Sequence, residues 1–154
     1  MKKSLLALAV ALPVLLPAAA AEARPVRITT TLKAYGGDGA YLAIYLTDKA
    51  GKLVKTIHVA GGKAKYHSHL SAWQRQSGGR IDGTTGASVG AGRSLRVTTD
   101  IADALIEAGF EIRVDAAVED MADAPGDARI PVSAGSVGKP ASGRRYIQSL
   151  AIDM

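Results

Sequence analysis

The chain has 154 residues with no cysteine, 19 Lys and Arg against 14 Asp and Glu, and a formal net charge of +5. Without cysteine there are no disulfides, no thiol catalysis, no haem held through C-x-x-C-H, no iron–sulfur cluster and no lipoprotein anchor. The basic excess is small and scattered, and shrinks once Lys2 and Lys3 are lost, so a nucleic-acid partner is excluded.

Lys2 and Lys3 precede an apolar run from Leu5 to Leu16, broken by Pro13, and then the small residues Ala18 to Ala21 and Ala23. This is the layout of a secretory signal peptide over residues 1–21, cleaved after Ala21 or Ala23. Its apolar stretch falls short of the roughly 20 residues of a transmembrane helix. The expected product is an exported protein, not embedded in the membrane after processing. Its one domain spans 22–154, long enough to bury its own core. An exported chain free of disulfides suits a bacterial periplasm.

Val26, Ile28, Thr30 and Leu32 alternate with Arg27, Thr29, Thr31 and Lys33, the period of a half-buried strand. After the turn "KAYGGDGA", the segment "YLAIYLTD" (41–48) is apolar at nearly every position, which predicts a strand buried on both faces. "DKAGK" forms a hairpin connection into a third strand over 53–61. From Lys65 to Ser77 the pattern changes: Tyr66, Leu70 and Trp73 recur at helical spacing, and Gly78 and Gly79 end the helix. Residues 78–92, "GGRIDGTTGASVGAG", hold six glycines and predict a long functional loop. A strand over 93–100 leads into a two-turn helix with Asp100 as N-cap and Gly109 at its end. Strands over 110–120, 128–134 and 144–153 follow, with "DAPGD" (123–127) as a turn. Seven short strands with glycine-rich connections predict a mainly β fold, a single antiparallel β-sandwich with one or two short helices, with a closed barrel as the second architecture.

The chemistry concentrates at "DGTTGASVG", residues 82–90. Its second half reads G-x-S-x-G, yet a nucleophile elbow needs a preceding strand, a following helix and a later histidine. His58, His67 and His69 all come before Ser88, so only the order His69, Asp82, Ser88 is left for a triad, with nothing in the sequence to support its geometry. No Lys-Ser/Thr follows the glycines, which removes a phosphate-cradling P-loop. "HSH" at 67–69 puts its two imidazoles on different faces of a helix, so no metal site is expected.

The whole string "DGTTGAS" resembles the flavinylation motif of exported redox proteins: Asp, two variable residues, a hydroxyl residue, Gly, Ala, then Thr or Ser. The resemblance implies a covalent FMN, joined by a flavin transferase through a phosphoester. Asp82 matches the acid, Thr85 the first hydroxyl, Gly86 and Ala87 the small pair, and Ser88 the acceptor, where Thr is more common. The acceptor need only offer an accessible hydroxyl, since base and metal belong to the transferase. Arg80 and Arg93 flank the loop and could neutralise the phosphate, while Trp73 and Tyr66 could stack on the isoalloxazine or serve as core. No residue is assigned a catalytic role.

"YLAIYLTDKAGKLVKTIHV", "KYHSHLSAWQRQSGGRIDGTTGAS" and "RSLRVTTD" together resemble domain of unknown function 2271, a family of predicted periplasmic proteins. That resemblance covers most of the mature chain, less clearly its last forty or so residues. It implies a sandwich domain, immunoglobulin-like, whose relatives accompany PepSY-type membrane proteins and flavin transferases in electron transfer. The competing expectation is a cofactor-free sandwich that acts as a binding or scaffold module, with the glycine-rich loop as its recognition edge.

Overall fold

The computed structural model describes residues 21–154, so the leader expected over 1–21 lies outside the described residues apart from Ala21. Eight strands occur among the described residues: β1 (Ala23–Leu32), β2 (Tyr41–Thr47), β3 (Leu53–Ala60), β4 (Thr84–Gly86), β5 (Ser94–Ala102), β6 (Glu111–Ala117), β7 (Ala124–Pro131) and β8 (Ile147–Asp153). They form two sheets, a three-stranded one in the order β5-β1-β8 and a five-stranded one in the order β4-β3-β2-β6-β7. The fold is mainly β as expected. The two sheets remain separate, so the barrel is not formed.

The alternation in β1 turns Val26, Ile28, Thr30 and Leu32 inward, all fully buried. Val26, Ile28 and Leu32 join a cluster that also takes Leu42, Ile44 and Leu46 from β2, Ile112 and Val114 from β6, and Ile147, Leu150 and Ile152 from β8. One core thus draws on both sheets. The other face of β2 is buried as well, because Ala43 and Tyr45 meet Leu70 and Trp73 in a second cluster. A fully buried leucine or isoleucine contributes roughly 1.5–3 kcal/mol relative to exposure, so β2 anchors both layers.

The helix expected over 65–77 is two pieces: a 3-10 helix at Ala64–His69 and an α-helix, α1, at Ser71–Ser77. Leu70 breaks them with φ −81° and ψ 65°. Gly78 closes α1 in the left-handed region at φ 63°, as the Gly-Gly pair predicts.

Three expectations are corrected. The loop over 78–92 contains β4, which pairs parallel with β3 in the register His58↔Thr84, Val59↔Thr85 and Ala60↔Gly86, so the five-stranded sheet is mixed rather than purely antiparallel. A parallel return needs a long crossover, and the segment carrying α1 supplies it. The helix expected from Asp100 is a single 3-10 turn at Asp103–Leu105, because β5 continues to Ala102. Pairing with Ala23, Arg24 and Pro25 of β1, together with burial of Ile101, outweighs the N-cap signal. The turn expected at 123–127 is the start of β7, where Asp127 is buried.

Candidate functional site

The glycine-rich segment is held to the sheet at each end. Asp82 Oδ1 accepts the Thr56 amide N–H at 2.8 Å. Thr84 Oγ1 lies 2.7 Å from His58 Nδ1 and 3.4 Å from the Ile57 carbonyl oxygen. The Thr84 hydroxyl donates to that carbonyl, so His58 Nδ1–H donates to Thr84 and Nε2 is left a buried acceptor without a partner. Burial pushes the His58 imidazole pKa down, in keeping with a neutral ring.

Gly83 is dictated by close approach, and Gly86 is tightly packed. A Cβ on Gly83 would stand 2.3 Å from the Ile57 carbonyl oxygen, and one on Gly86 would stand 3.2 Å from two ring atoms of His58. The small residues of the motif therefore have a packing role beside any role in recognition. Beyond β4, Val89 and Ala40 exchange both backbone hydrogen bonds, at 2.7 and 2.9 Å. Ala87 and Ser88 bridge these two anchors, and both are exposed.

Ser88 lines a cleft of about 640 Å³, within the range of small-molecule and cofactor sites. Gly39 makes room for it: a Cβ there would sit 2.9 Å from Ser88 Oγ. Tyr41 and Tyr66 form an aromatic wall, edge to face with centroids 5.8 Å apart. Lys63 also lines the cleft, and its backbone N–H donates to the Tyr41 hydroxyl at 3.2 Å. Asp38, Glu119 and Asp120 also line the cleft and make it acidic.

Of the residues expected around a flavin, the structure brings Ser88 and Tyr66 to one cleft. Tyr66 is half-buried, with Lys65 Nζ 4.8 Å from its ring centroid. Trp73 is not there. Its ring is fully buried, Nε1–H donates to Thr56 Oγ1 at 2.8 Å, and its backbone N–H donates to buried Asp115 at 2.8 Å. It is the core residue that helical spacing allows, with no ring face free for stacking.

Arg80 and Arg93 are exposed and outside the cleft lining; Lys63 is the lysine that lines it with Ser88. Asp82 is occupied by Thr56, and Thr85 stands exposed on β4 opposite Val59. The order His69, Asp82, Ser88 forms no relay, because His69 pairs with Asp123 at 3.1 Å. His67 lies 2.8 Å from the Gly61 carbonyl oxygen. Sequence reasoning missed Tyr41, Lys63 and the acidic lining, which the fold gathers from separate segments.

The family model of predicted periplasmic proteins, domain of unknown function 2271, matches residues 23–149. Neither the curated proteins nor the solved structures contain a match to the chain.

Proposed function

The chain belongs to the DUF2271 family of predicted periplasmic proteins, and from that premise we propose that it is a periplasmic electron carrier bearing FMN on Ser88. The observation that carries this reading is the placement of an exposed hydroxyl, the last residue of an Asp-x-x-Thr-Gly-Ala-Ser string, on the rim of an aromatic-walled cleft. A covalent tether keeps the cofactor in a compartment where a free one would diffuse away. No helix among the described residues is long and apolar enough to cross a membrane. Electrons would reach the carrier through a PepSY-type membrane partner, as the family resemblance implies.

The residues present fit the group. Ser88 Oγ, unobstructed because position 39 is glycine, would form the bond to phosphorus. In that step the phosphorus–oxygen bond to the rest of a dinucleotide flavin donor would break, the nucleoside monophosphate leaving on that oxygen, and the hydroxyl proton would pass to the base of a flavin transferase. Tyr66 and Tyr41 would flank the ring system and Lys63 would pair with the phosphodiester, while Asp38, Glu119 and Asp120 leave the cleft acidic overall and would favour the phosphate at its Lys63 side. When bound, FMN supplies one- and two-electron chemistry; the chain supplies attachment, an aromatic wall and charge. The two sheets sharing one core support a sandwich of the immunoglobulin-like type as scaffold.

Intact mass of the protein made in a periplasm that also holds the transferase tests this. A gain equal to FMN less water supports the reading. An unmodified mass in that host removes it and leaves the cofactor-free binding module.

A further inference from the structure

A second cleft, of about 570 Å³, is lined by four arginines: Arg75 from α1, Arg113 from β6, Arg129 from β7 and Arg144 from the segment before β8. Arg113 and Arg129 are direct cross-strand partners, so two guanidinium groups leave the same face of the sheet side by side. Like charges so placed destabilise a sheet. Glu111 relieves only one of them, taking the Arg113 guanidinium at 3.0 Å. Among the described residues neither Arg75, Arg129 nor Arg144 has a carboxylate within 4.0 Å. Arg144 is instead fixed by two uncharged acceptors, the carbonyl oxygens of Pro125 and Gly126 at 2.8 and 3.0 Å.

The acids nearest the cleft are already saturated. Asp127 is buried, and its two oxygens accept the backbone N–H groups of Arg144, Arg145, Tyr146 and Ile147 at 2.6–2.9 Å. Asp115 beneath accepts from Tyr45 Oη, the Trp73 amide and the Gly126 amide. Burial and Asp115 both hold the Tyr45 phenol pKa above its ordinary value, so that wall brings no further negative charge. What remains is a concave site with two guanidinium groups free to act as planar, bidentate donors, Arg75 and Arg129, and a third, Arg144, whose Nη2 is taken by the two carbonyls and which keeps its remaining N–H groups and its charge.

We propose that this cleft is an anion site that takes a small ligand with two or more carboxylate or phosphate groups, gripped between Arg75 and Arg129 with Arg144 as a fixed third donor. It is independent of the Ser88 cleft, with which it shares no lining residue. Titration calorimetry of the mature chain at low salt, with citrate and with pyrophosphate as probes, tests it. Saturable one-site binding of at least one probe is expected, and the probe that binds tells whether carboxylate or phosphate is preferred. Arg75→Gln and Arg129→Gln each weaken it about tenfold or more, one charge-assisted hydrogen bond being worth that much. Arg129→Lys keeps the charge but loses the fork and binds more weakly than wild type, while Arg96→Gln on β5 binds as wild type does. Urea midpoints of the variants confirm that they fold; Arg129→Gln is expected at or above wild type, since it removes the repulsion with Arg113. No saturable heat from either probe, or unchanged binding by Arg75→Gln and Arg129→Gln, overturns the proposal.

Discussion

Substituting Gly83 by alanine tests whether β4 is held against β3 in the way that places Ser88. The added methyl would lie 2.3 Å from the Ile57 carbonyl oxygen and 2.5 Å from that of Thr56. Both obstacles are backbone of a paired strand, so β4 must give way. Overpacking of this kind costs typically about 1–3 kcal/mol. Moving β4 also strains three hydrogen bonds: Thr56 N to Asp82, His58 to Thr84, and Gly61 N to the Gly86 carbonyl oxygen, 2.7–2.8 Å in length. At roughly 1 kcal/mol each, with partial loss, the total comes to about 2–4 kcal/mol. Gly62 supplies the control, because a Cβ there meets nothing within 4 Å. Gly62→Ala is expected to be neutral or stabilising by up to about 1 kcal/mol. Urea unfolding followed by fluorescence of Trp73, the single tryptophan, reads both variants. A Gly83→Ala variant as stable as Gly62→Ala would refute the close approach of β4 to β3.

Asp127→Ala leaves the buried amides of Tyr146 and Ile147 without acceptors, while those of Arg144 and Arg145 recover some water. At about 1–3 kcal/mol for each buried group, a loss of about 3–5 kcal/mol in urea unfolding is expected, and a loss under about 1 kcal/mol contradicts the network. Trp73→Phe removes the Nε1–H donor to buried Thr56 Oγ1 and should cost about 1–3 kcal/mol on thermal unfolding, against near neutrality if the indole were a free ligand platform. His58 titrates lower folded than unfolded, so the unfolded chain binds the extra proton. Its contribution to stability is complete above the unfolded imidazole pKa, about 6.5, and is lost progressively below it. Urea midpoints of wild type should therefore fall more steeply from pH 7 to 5 than those of His58→Gln; equal slopes contradict the assignment.

The sheets were legible where local pattern and tertiary role coincide. Residues 26–32 alternate because one face of β1 meets the core, and 41–46 are apolar throughout because β2 is buried on both faces. The hairpin at Asp48–Lys52 follows from its own turn chemistry: Asp48 Oδ1 accepts from the Ala50 and Lys52 amides, and Gly51 has φ 81°. β4 was not legible, since three exposed residues have no hydrophobic period and their glycine-rich sequence reads as a loop. The false helix after Asp100 shows the reverse: a cap signal is local, whereas the pairing of β5 with Ala23–Pro25 is decided nearly eighty residues away.

The site divides along the same line. Ser88 was visible because its motif is contiguous in the chain. Tyr41, Lys63 and Glu119 were not, because only the sheet and the 3-10 segment bring them beside it. Spacing alone left Trp73 open between core and cofactor, and the fold decides for core. The four arginines of the second cleft lie at 75, 113, 129 and 144, and only strand register puts two of them side by side.

The most direct test of the account is the state of the Ser88 oxygen in protein recovered from a periplasm that contains a flavin transferase. Peptide mapping after denaturation should find FMN esterified to the peptide holding residue 88, with visible flavin absorbance following the protein through precipitation. Ser88→Thr should retain it and Ser88→Ala should lose it, with both variants folded. A residue 88 that carries no flavin under those conditions, or a Ser88→Ala protein that is still yellow, would contradict the central claim.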